Sequence, residues 1–424
     1  MPVSRMVQRG GFWSRISLDK ALALISSSVR SLPTEEIPFH ESAGRVLGED
    51  VVAEANVPPF DRAAVDGYAV VAEDTFGATQ GSPRKLRVSG SVVVGSAARI
   101  RIGREEAVRV DTGAPLPRGA DAVVMAENVA EEGRYVHVFS PVTPGKNVSR
   151  AGEDVRAGEV VLRRGRVIRP PDVGLLASIG RLRVRAYRRP EVGIISTGRE
   201  LVDPGSRRSQ PAVVDANSYS LSAAVCACGG VPHRLGIVPD DRRILKRRIA
   251  EALKRDAVII SGGSAAGRMD LAPEVVAEMG EVKFHGVAMR PGGPSAFGIV
   301  DEKPVFCLAG FPAGALVAFD MLVRPALRRM QGLGLNRGYP RLKARLGERM
   351  ASTLGRTDVV RVRLAREKNR IVAYPIRITG SSMLSTITNA DGFVVIPEHL
   401  EGLERGDMVE VELYDGSQHW LQEG

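Results

Sequence analysis

The sequence predicts a multidomain chain of α/β and β class, built around a central three-layer α/β domain with a mainly parallel sheet. Three observations predict it. From Glu191 to about Gly332, short β-branched runs alternate with helical patterns, as βαβ units do. The apolar runs break into glycine turns, as at Ser261-Gly262-Gly263, where a strand buried on both faces hands over to a helix. On either side of this stretch the pattern changes to period-two alternation broken by Gly and Pro, which reads as small β domains.

Taken in order, Ser17 is placed to cap a helix running to about Leu32, with Ala21, Leu22, Leu24 and Ile25 at helical spacing and Pro33 at its end. A strand-like stretch covers Arg45 to Ala53. Pro58-Pro59 then stiffens the approach to Asp66-Gly67, a turn signal whose carboxylate is most simply turn chemistry. From Lys85 to Val138 the apolar positions Leu86, Val88, Val92, Val108, Val110, Val123, Val136 and Val138 fall in short alternating runs. Among them Thr112-Gly113-Ala114-Pro115-Leu116-Pro117 is a polar turn that offers a hydroxyl and amides to a ligand. Gly152 to Gly158 breaks the chain before a strand at Glu159 to Leu162.

The α/β stretch reads as a strand at Val192–Ile195, a helix at Ser218–Ala227, a strand at Pro232–Val238, a helix at Arg242–Leu253, a strand at Ala257–Ile260 and a helix at Leu271–Met279. Pro304 to Ala309 is a further strand; it breaks at Gly310-Phe311-Pro312 before a helix with Leu316, Phe319, Leu322 and Val323 on its apolar face. Between them, Met289 to Pro294 sets Arg290 beside the amides that follow Pro291. Ligands of parallel sheets lie at the carboxyl ends of the strands, where Ser196-Thr197-Gly198, Asp240-Asp241, Ser261-Gly262-Gly263 and Gly310-Phe311-Pro312 all fall. A glycine turn after a buried strand is often only a connection. Several such loops on one sheet edge point instead to a phosphorylated or oxyanionic ligand, because bare amides and helix N-termini hold anions. Beyond Pro340, Asp358–Leu364, Arg370–Tyr374, Phe393–Ile396 and Met408–Leu413 alternate as strands of a C-terminal β domain.

Composition bounds the function. The net charge of +10 and isoelectric point near 9.8 admit nucleic acid, acidic surfaces or small anions as partners. The basic residues are spread along the chain and aromatics are only 5%, so stacking platforms are scarce and small anionic substrates rank above nucleic acid. Cys226, Cys228 and Cys307 form no CxxC pair, and the six histidines have no zinc spacing. No run approaches the roughly 18 apolar residues of a membrane span, and Met1 to Gly10 is too polar for a secretory signal, so a cytoplasmic location is expected.

At this point the chain resembles a known family, the molybdopterin molybdenumtransferases, that is MoeA-type proteins and the gephyrin E domain. The resemblance runs from about Ser17 to Leu413. It rests on Phe60-Asp61 with Asp66-Gly67-Tyr68-Ala69, Thr112 to Pro117, Gly152-Glu153-Asp154, Ser196 to Gly198 with Glu200, Asp215 with Asn217-Ser218, Ser261 to Gly263, Asp270, Pro291-Gly292, Gly310 with Pro312, and Gly380 to Ser382 followed by Ala390-Asp391-Gly392.

The resemblance implies a homodimer whose subunit has an elongated N-terminal dimerisation domain (1–55 and 150–185), an inserted small β domain (56–149), an α/β molybdopterin-binding domain (186–335) and a C-terminal β-barrel-like domain (336–424). It implies that adenylylated molybdopterin and molybdate, or tungstate, react with release of AMP, the substrate coming from a molybdopterin adenylyltransferase. Asp66 of a partner subunit, Glu200, Asp240 and Asp270 are then the expected catalytic carboxylates. Asp240 and Asp270 would also hold Mg2+ or another divalent cation. Thr112, Gly113, Ser196, Thr197, Gly198, Ser261, Gly262, Gly263, Gly310 and Pro312 would bind the pterin substrate, and Arg290, Pro291, Arg361, Ser381 and Ser382 the oxyanion.

The chain departs from the family pattern at the expected site. Arg290 keeps the first charge of a loop that usually reads Lys-Pro-Gly-Lys-Pro, but Gly293 lacks the second, and a Lys there is expected to shift the oxyanion preference. Phe311 stands where the family's turn carries Asn, and Arg199 where Asp commonly precedes Glu200. These changes raise an alternative, a non-catalytic paralogue that binds a molybdopterin intermediate or a partner protein as a scaffold.

Overall fold

The computed structural model describes residues 15–97, 99–206, 212–262, 271–376 and 382–422. The chain forms two compact units, one of Glu36–Ala186 and a larger one of Met1–Glu35 with Tyr187–Gly424.

In the smaller unit a six-stranded sheet runs in the order Ala122–Met125, Gly67–Val70, Glu106–Val110, Arg84–Val92, Tyr135–Val138 and Val129–Glu132. Two of these strands escape a reading by alternation. Gly67–Val70 is a fully buried central strand rather than the tail of an Asp-Gly turn. A side chain at 67 would put its Cβ 1.9 Å from the Val124 carbonyl, so only glycine lets the strands approach. Val129–Glu132 is an exposed edge whose charged side chains mask its period.

The central sheet of the larger unit runs Val231–Val238, Glu191–Thr197, Ala257–Gly262, Lys303–Leu308, Ala296–Val300 and Glu281–His285. The first four strands are parallel and the last two antiparallel. Alternate residues feed separate cores on the two faces. Val192, Ile194, Ala257 and Ile259 pack on one face with the Asn217–Ala227 helix, while Ile195, Val258 and Ile260 pack on the other with Arg242–Ala252 and Leu271–Met279. That partition makes three layers. The N-terminal helix, Leu18–Ser28, buries Leu18, Ala21 and Ile25 in the first core. It stops four residues short of the expected Leu32, because the Ser27 and Ser28 hydroxyls donate back to the Leu24 carbonyl and Val29 turns extended.

After Lys303–Leu308, the helix Pro312–Ala318 widens into a π turn over Phe319–Val323 and continues as Arg324–Met330. The π turn buries Asp320, whose Oδ1 accepts from Arg324 Nε at 3.0 Å and from the Tyr339 hydroxyl at 2.9 Å. The C-terminal strands then close into a barrel in the order Thr357–Glu367, Arg370–Pro375, Arg341–Leu346, Met408–Leu413, Gly392–Ile396 and back to Thr357–Glu367. Met289–Arg290 pairs with Thr357–Asp358, so the basic loop is sewn to the barrel. No described helix is long and apolar enough to cross a membrane.

Candidate functional site

The strand register sets the site. Ser196 lies opposite Ser261, Thr197 opposite Gly262 and Val238, and Ser261 opposite Leu308, so the parallel strands end level. The chain leaves each end in a turn. A cavity of about 850 Å3 opens there, lined by Ser196, Thr197, Gly198, Arg199, Glu200, Asp215, Asn217, Asp240, Ser261, Gly262, Gly310, Phe311, Pro312 and Ser382 among others. The expected turns at Ser196, Ser261 and Gly310 thus meet in one cleft. Gly262 is required by its place, with φ +118° and a would-be Cβ 2.1 Å from the Thr197 carbonyl oxygen.

Asn217 organises the cleft. Its Nδ2 donates to Ser261 Oγ and to the Gly310 carbonyl, each at 2.8 Å, and so joins two strand-end turns from the start of the Asn217–Ala227 helix. The Gly310 carbonyl can only accept, which fixes the orientation of the amide. Asp215, two residues earlier, accepts from the Ser218 amide through Oδ1 at 3.0 Å. Both residues carry motif signal in the sequence but no assigned role there; an Asp just before a helix is the local signal that could have found Asp215.

The cleft has a surplus of buried polar atoms. Ser196 Oγ, Thr197 Oγ1, Asp215 Oδ2 and Asn217 Oδ1 have no hydrogen-bond partner among the described residues, although the four residues are only 1%, 3%, 2% and 8% exposed. An unmet buried polar atom costs about 1–3 kcal/mol. Four of them in one cleft are intelligible when a polar ligand supplies their partners.

Glu200, Arg199 and Asp240 line the same cavity as exposed side chains. Of the adjacent pair Asp240-Asp241, only the first faces the cleft; Asp241 caps the next helix through the amides of Arg243 and Ile244 at 2.9 and 3.0 Å. Gly263, Asp270 and Ser381 lie outside the described residues. No group of three or more His, Cys, Asp or Glu gathers as a metal cage among the described residues. A hard cation of the Mg2+ type does not require one, since it keeps waters and takes one or two carboxylates with substrate phosphate oxygens.

The expected oxyanion residues divide. Ser382 lines the cavity, whereas Arg290 and Arg361 sit beside it at the seam with the barrel. The register of Ala296 with Cys307 and with His285 brings the Arg290 loop to the same sheet edge as the glycine turns. Arg361 is 1% exposed; it donates through Nη1 to the Val359 carbonyl at 3.1 Å and through Nη2 to Thr386 Oγ1 at 3.4 Å. Its Nε is unpartnered, and no carboxylate pairs with it among the described residues. Burial pulls its pKa down, with Arg290 adding to the effect against an opposing contribution from Tyr414. A buried cation without a counter-ion is a standing demand for an anion.

A Lys at 293 would do more than add a charge. A Cβ there would lie 2.7 Å from the Met289 carbonyl oxygen and 3.2 Å from that of Val287. The loop backbone is folded for glycine, so adding the charge would move the loop that presents Arg290.

In the smaller unit, Asp66 and Thr112 share a separate cavity of about 490 Å3 with Ala64, Val65, Met125, Ala126 and Glu127. Asp66 Oδ1 accepts from the Thr112 amide at 2.6 Å and from its hydroxyl at 2.8 Å, and these bonds hold the exposed carboxyl below the ordinary aspartate range. Thr112 therefore gives its hydroxyl to Asp66, where the sequence reading gave it to the substrate. Gly113 takes the left-handed φ of +86° that this turn needs.

With this geometry in view, comparison with known proteins is specific. Residues 16–180 match the MoeA N-terminal region (domains I and II), 193–329 the family described as a probable molybdopterin binding domain, and 343–414 the MoeA C-terminal region (domain IV). A molybdopterin biosynthesis protein of Methanocaldococcus jannaschii is 39% identical over 390 residues, covering 89% of this chain and 92% of the relative. The molybdopterin molybdenumtransferase of Haemophilus influenzae is 33% identical, over 94% of this chain and 99% of its own. A crystal structure of a molybdopterin biosynthesis MoeA protein from Pyrococcus horikoshii superposes with a TM-score of 0.82 at 36% identity, covering 95% of this chain and 100% of the other.

Proposed function

The chain belongs to the MoeA family of molybdopterin molybdenumtransferases, and we propose that it transfers molybdenum to molybdopterin in molybdenum cofactor biosynthesis, taking adenylylated molybdopterin and molybdate and releasing AMP. The observation that carries this reading is the set of four buried, unpartnered polar side chains at the level strand ends.

In this reading the Ser196, Ser261 and Gly310 turns bind the pterin substrate in the 850 Å3 cleft. Arg361 and Arg290 draw the oxyanion to the barrel seam, where the forked guanidinium of Arg361 has an Nε still to place. Asp240, with Asp270, would hold a divalent cation, which supplies charge neutralisation at the phosphoanhydride. Glu200, exposed on the cleft wall, orders the water that meets the adenylate. Asp66 of a partner subunit, held ionised by Thr112, completes the site in a homodimer. A molybdopterin adenylyltransferase in the cytoplasm is the expected source of the substrate, and tungstate an alternative oxyanion.

The test is turnover of adenylylated molybdopterin by the purified protein with molybdate and tungstate in parallel, following AMP and cofactor. Turnover with either oxyanion is the expected result. Its absence with both would leave only pterin binding.

A further inference from the structure

Phe311 is a large apolar side chain left 58% exposed beside polar neighbours in the cleft. Among the described residues, no ring pair or cation–ring contact involves it. Its backbone is nonetheless fixed, because the carbonyl of the preceding Gly310 is held by Asn217 Nδ2 at 2.8 Å and Phe311 itself precedes the Pro312–Ala318 helix. A positioned ring left this exposed on a cleft wall is a ready face for a flat heterocycle.

The neighbouring orphan atoms say which heterocycle. Asn217 Nδ2 is committed to Ser261 and Gly310, so the unpartnered Oδ1 can only accept. Asp215 Oδ1 is taken by the Ser218 amide, and the unpartnered Oδ2 is likewise an acceptor. Two buried acceptors call for two donors. An aminopyrimidinone presents them side by side, at N3–H and the 2-amino group; adenine offers one amino group flanked by ring acceptors.

We infer that Phe311 is a specificity-determining residue of this cleft, stacking on an aminopyrimidinone ring whose donor edge is read by Asp215 and Asn217. This rests on the proposed function, and deepens it by placing the pterin of adenylylated molybdopterin, rather than its adenine, against Phe311.

The experiment titrates fluorescent 6-hydroxymethylpterin into the full-length protein and its Phe311→Ala, Phe311→Trp and Asp215→Asn variants, with GMP and AMP as competitors. GMP carries the aminopyrimidinone edge and AMP does not. Stacking predicts a loss of about 5- to 100-fold in probe affinity for Phe311→Ala and near-native affinity for Phe311→Trp. Edge reading predicts that GMP displaces the probe at least about tenfold better than AMP, an advantage lost in Asp215→Asn. With adenylylated molybdopterin, Phe311→Ala should raise KM more than it lowers kcat. The inference is overturned if the wild-type chain does not bind the probe, if Phe311→Ala binds it as tightly as wild type, or if AMP competes as well as GMP. Failure of the broader reading looks different: a chain that releases no AMP yet binds the probe through Phe311 keeps the subsite and loses the reaction.

Discussion

In the larger unit's cleft, Ser196, Thr197, Asp215 and Asn217 are buried with atoms unmatched, whereas in the smaller unit's cavity Asp66 is exposed and Thr112 satisfies its Oδ1 twice over. The first arrangement keeps a deficit among the described residues, of the kind a polar ligand fills. The second has already formed its bonds and presents one fixed, ionised carboxylate. On the proposed function, the contrast teaches that a binding wall and a reacting group are prepared differently: one is left short of hydrogen bonds, the other is held still by them.

Substitutions should separate the two regions by sign as well as size. The largest effect is expected at the glycines. Gly262→Ala meets the Thr197 carbonyl oxygen at 2.1 Å with φ +118°, and should cost on the order of 3 kcal/mol or more. Gly113→Ala, with φ +86° and nothing nearer than Val94 Cγ2 at 3.7 Å, should cost only about 1–2 kcal/mol. Denaturant unfolding of both variants measures the gap, and equal losses would erase the contrast.

Next comes Asn217→Ala, which removes both bonds of the clamp and should destabilise the larger unit by about 2 kcal/mol. Protection of the Gly310–Pro312 segment in hydrogen exchange should fall with it; unchanged protection would mean the turn holds itself.

The sign reverses for Ser196→Ala and Thr197→Val. Removing a buried, unmatched hydroxyl should leave the ligand-free protein unchanged or more stable by about 1 kcal/mol, while substrate binding weakens. Paired melting and titration data check this, and a marked loss of stability would show that these hydroxyls are already satisfied.

The smallest effect belongs to Thr112→Val. It deletes one of the two bonds that lower the Asp66 pKa but leaves the amide, the larger cause, in place. The stabilisation linked to a lowered carboxyl is present above the ordinary aspartate value and fades as pH falls through the lowered one. The variant should therefore move the Asp66 titration upward, part of the way back, as carboxyl NMR would record.

Much of this was legible in the sequence because it follows from period and punctuation. The Val192–Ile195 and Ala257–Ile260 runs, the helices at Arg242 and Leu271 and the glycine turns at strand ends all announce themselves locally. The central place of Gly67–Val70 was hidden, since Asp-Gly reads as a turn and the need for glycine comes from Val124, far along the chain. The role of Asn217 was hidden for a related reason: a bond from its amide to the Gly310 carbonyl spans 93 residues, and no local pattern encodes it. The same holds for Gly293, whose constraint is set by the carbonyls of Met289 and Val287 in a folded loop.

The Asp320 contact reaches beyond the chemistry of the cleft. Burial drives this carboxyl toward its protonated form, and the Arg324 guanidinium and Tyr339 hydroxyl oppose that drift. Tyr339 lies past the end of the helical segment, on the way into the barrel, and packs edge-on to Phe393 and Tyr414. The α/β layer is thus not an interchangeable module: a fragment cut after Met330, or a chimaera that takes a relative's barrel without its own phenol at this position, would inherit a half-neutralised charge in its interior.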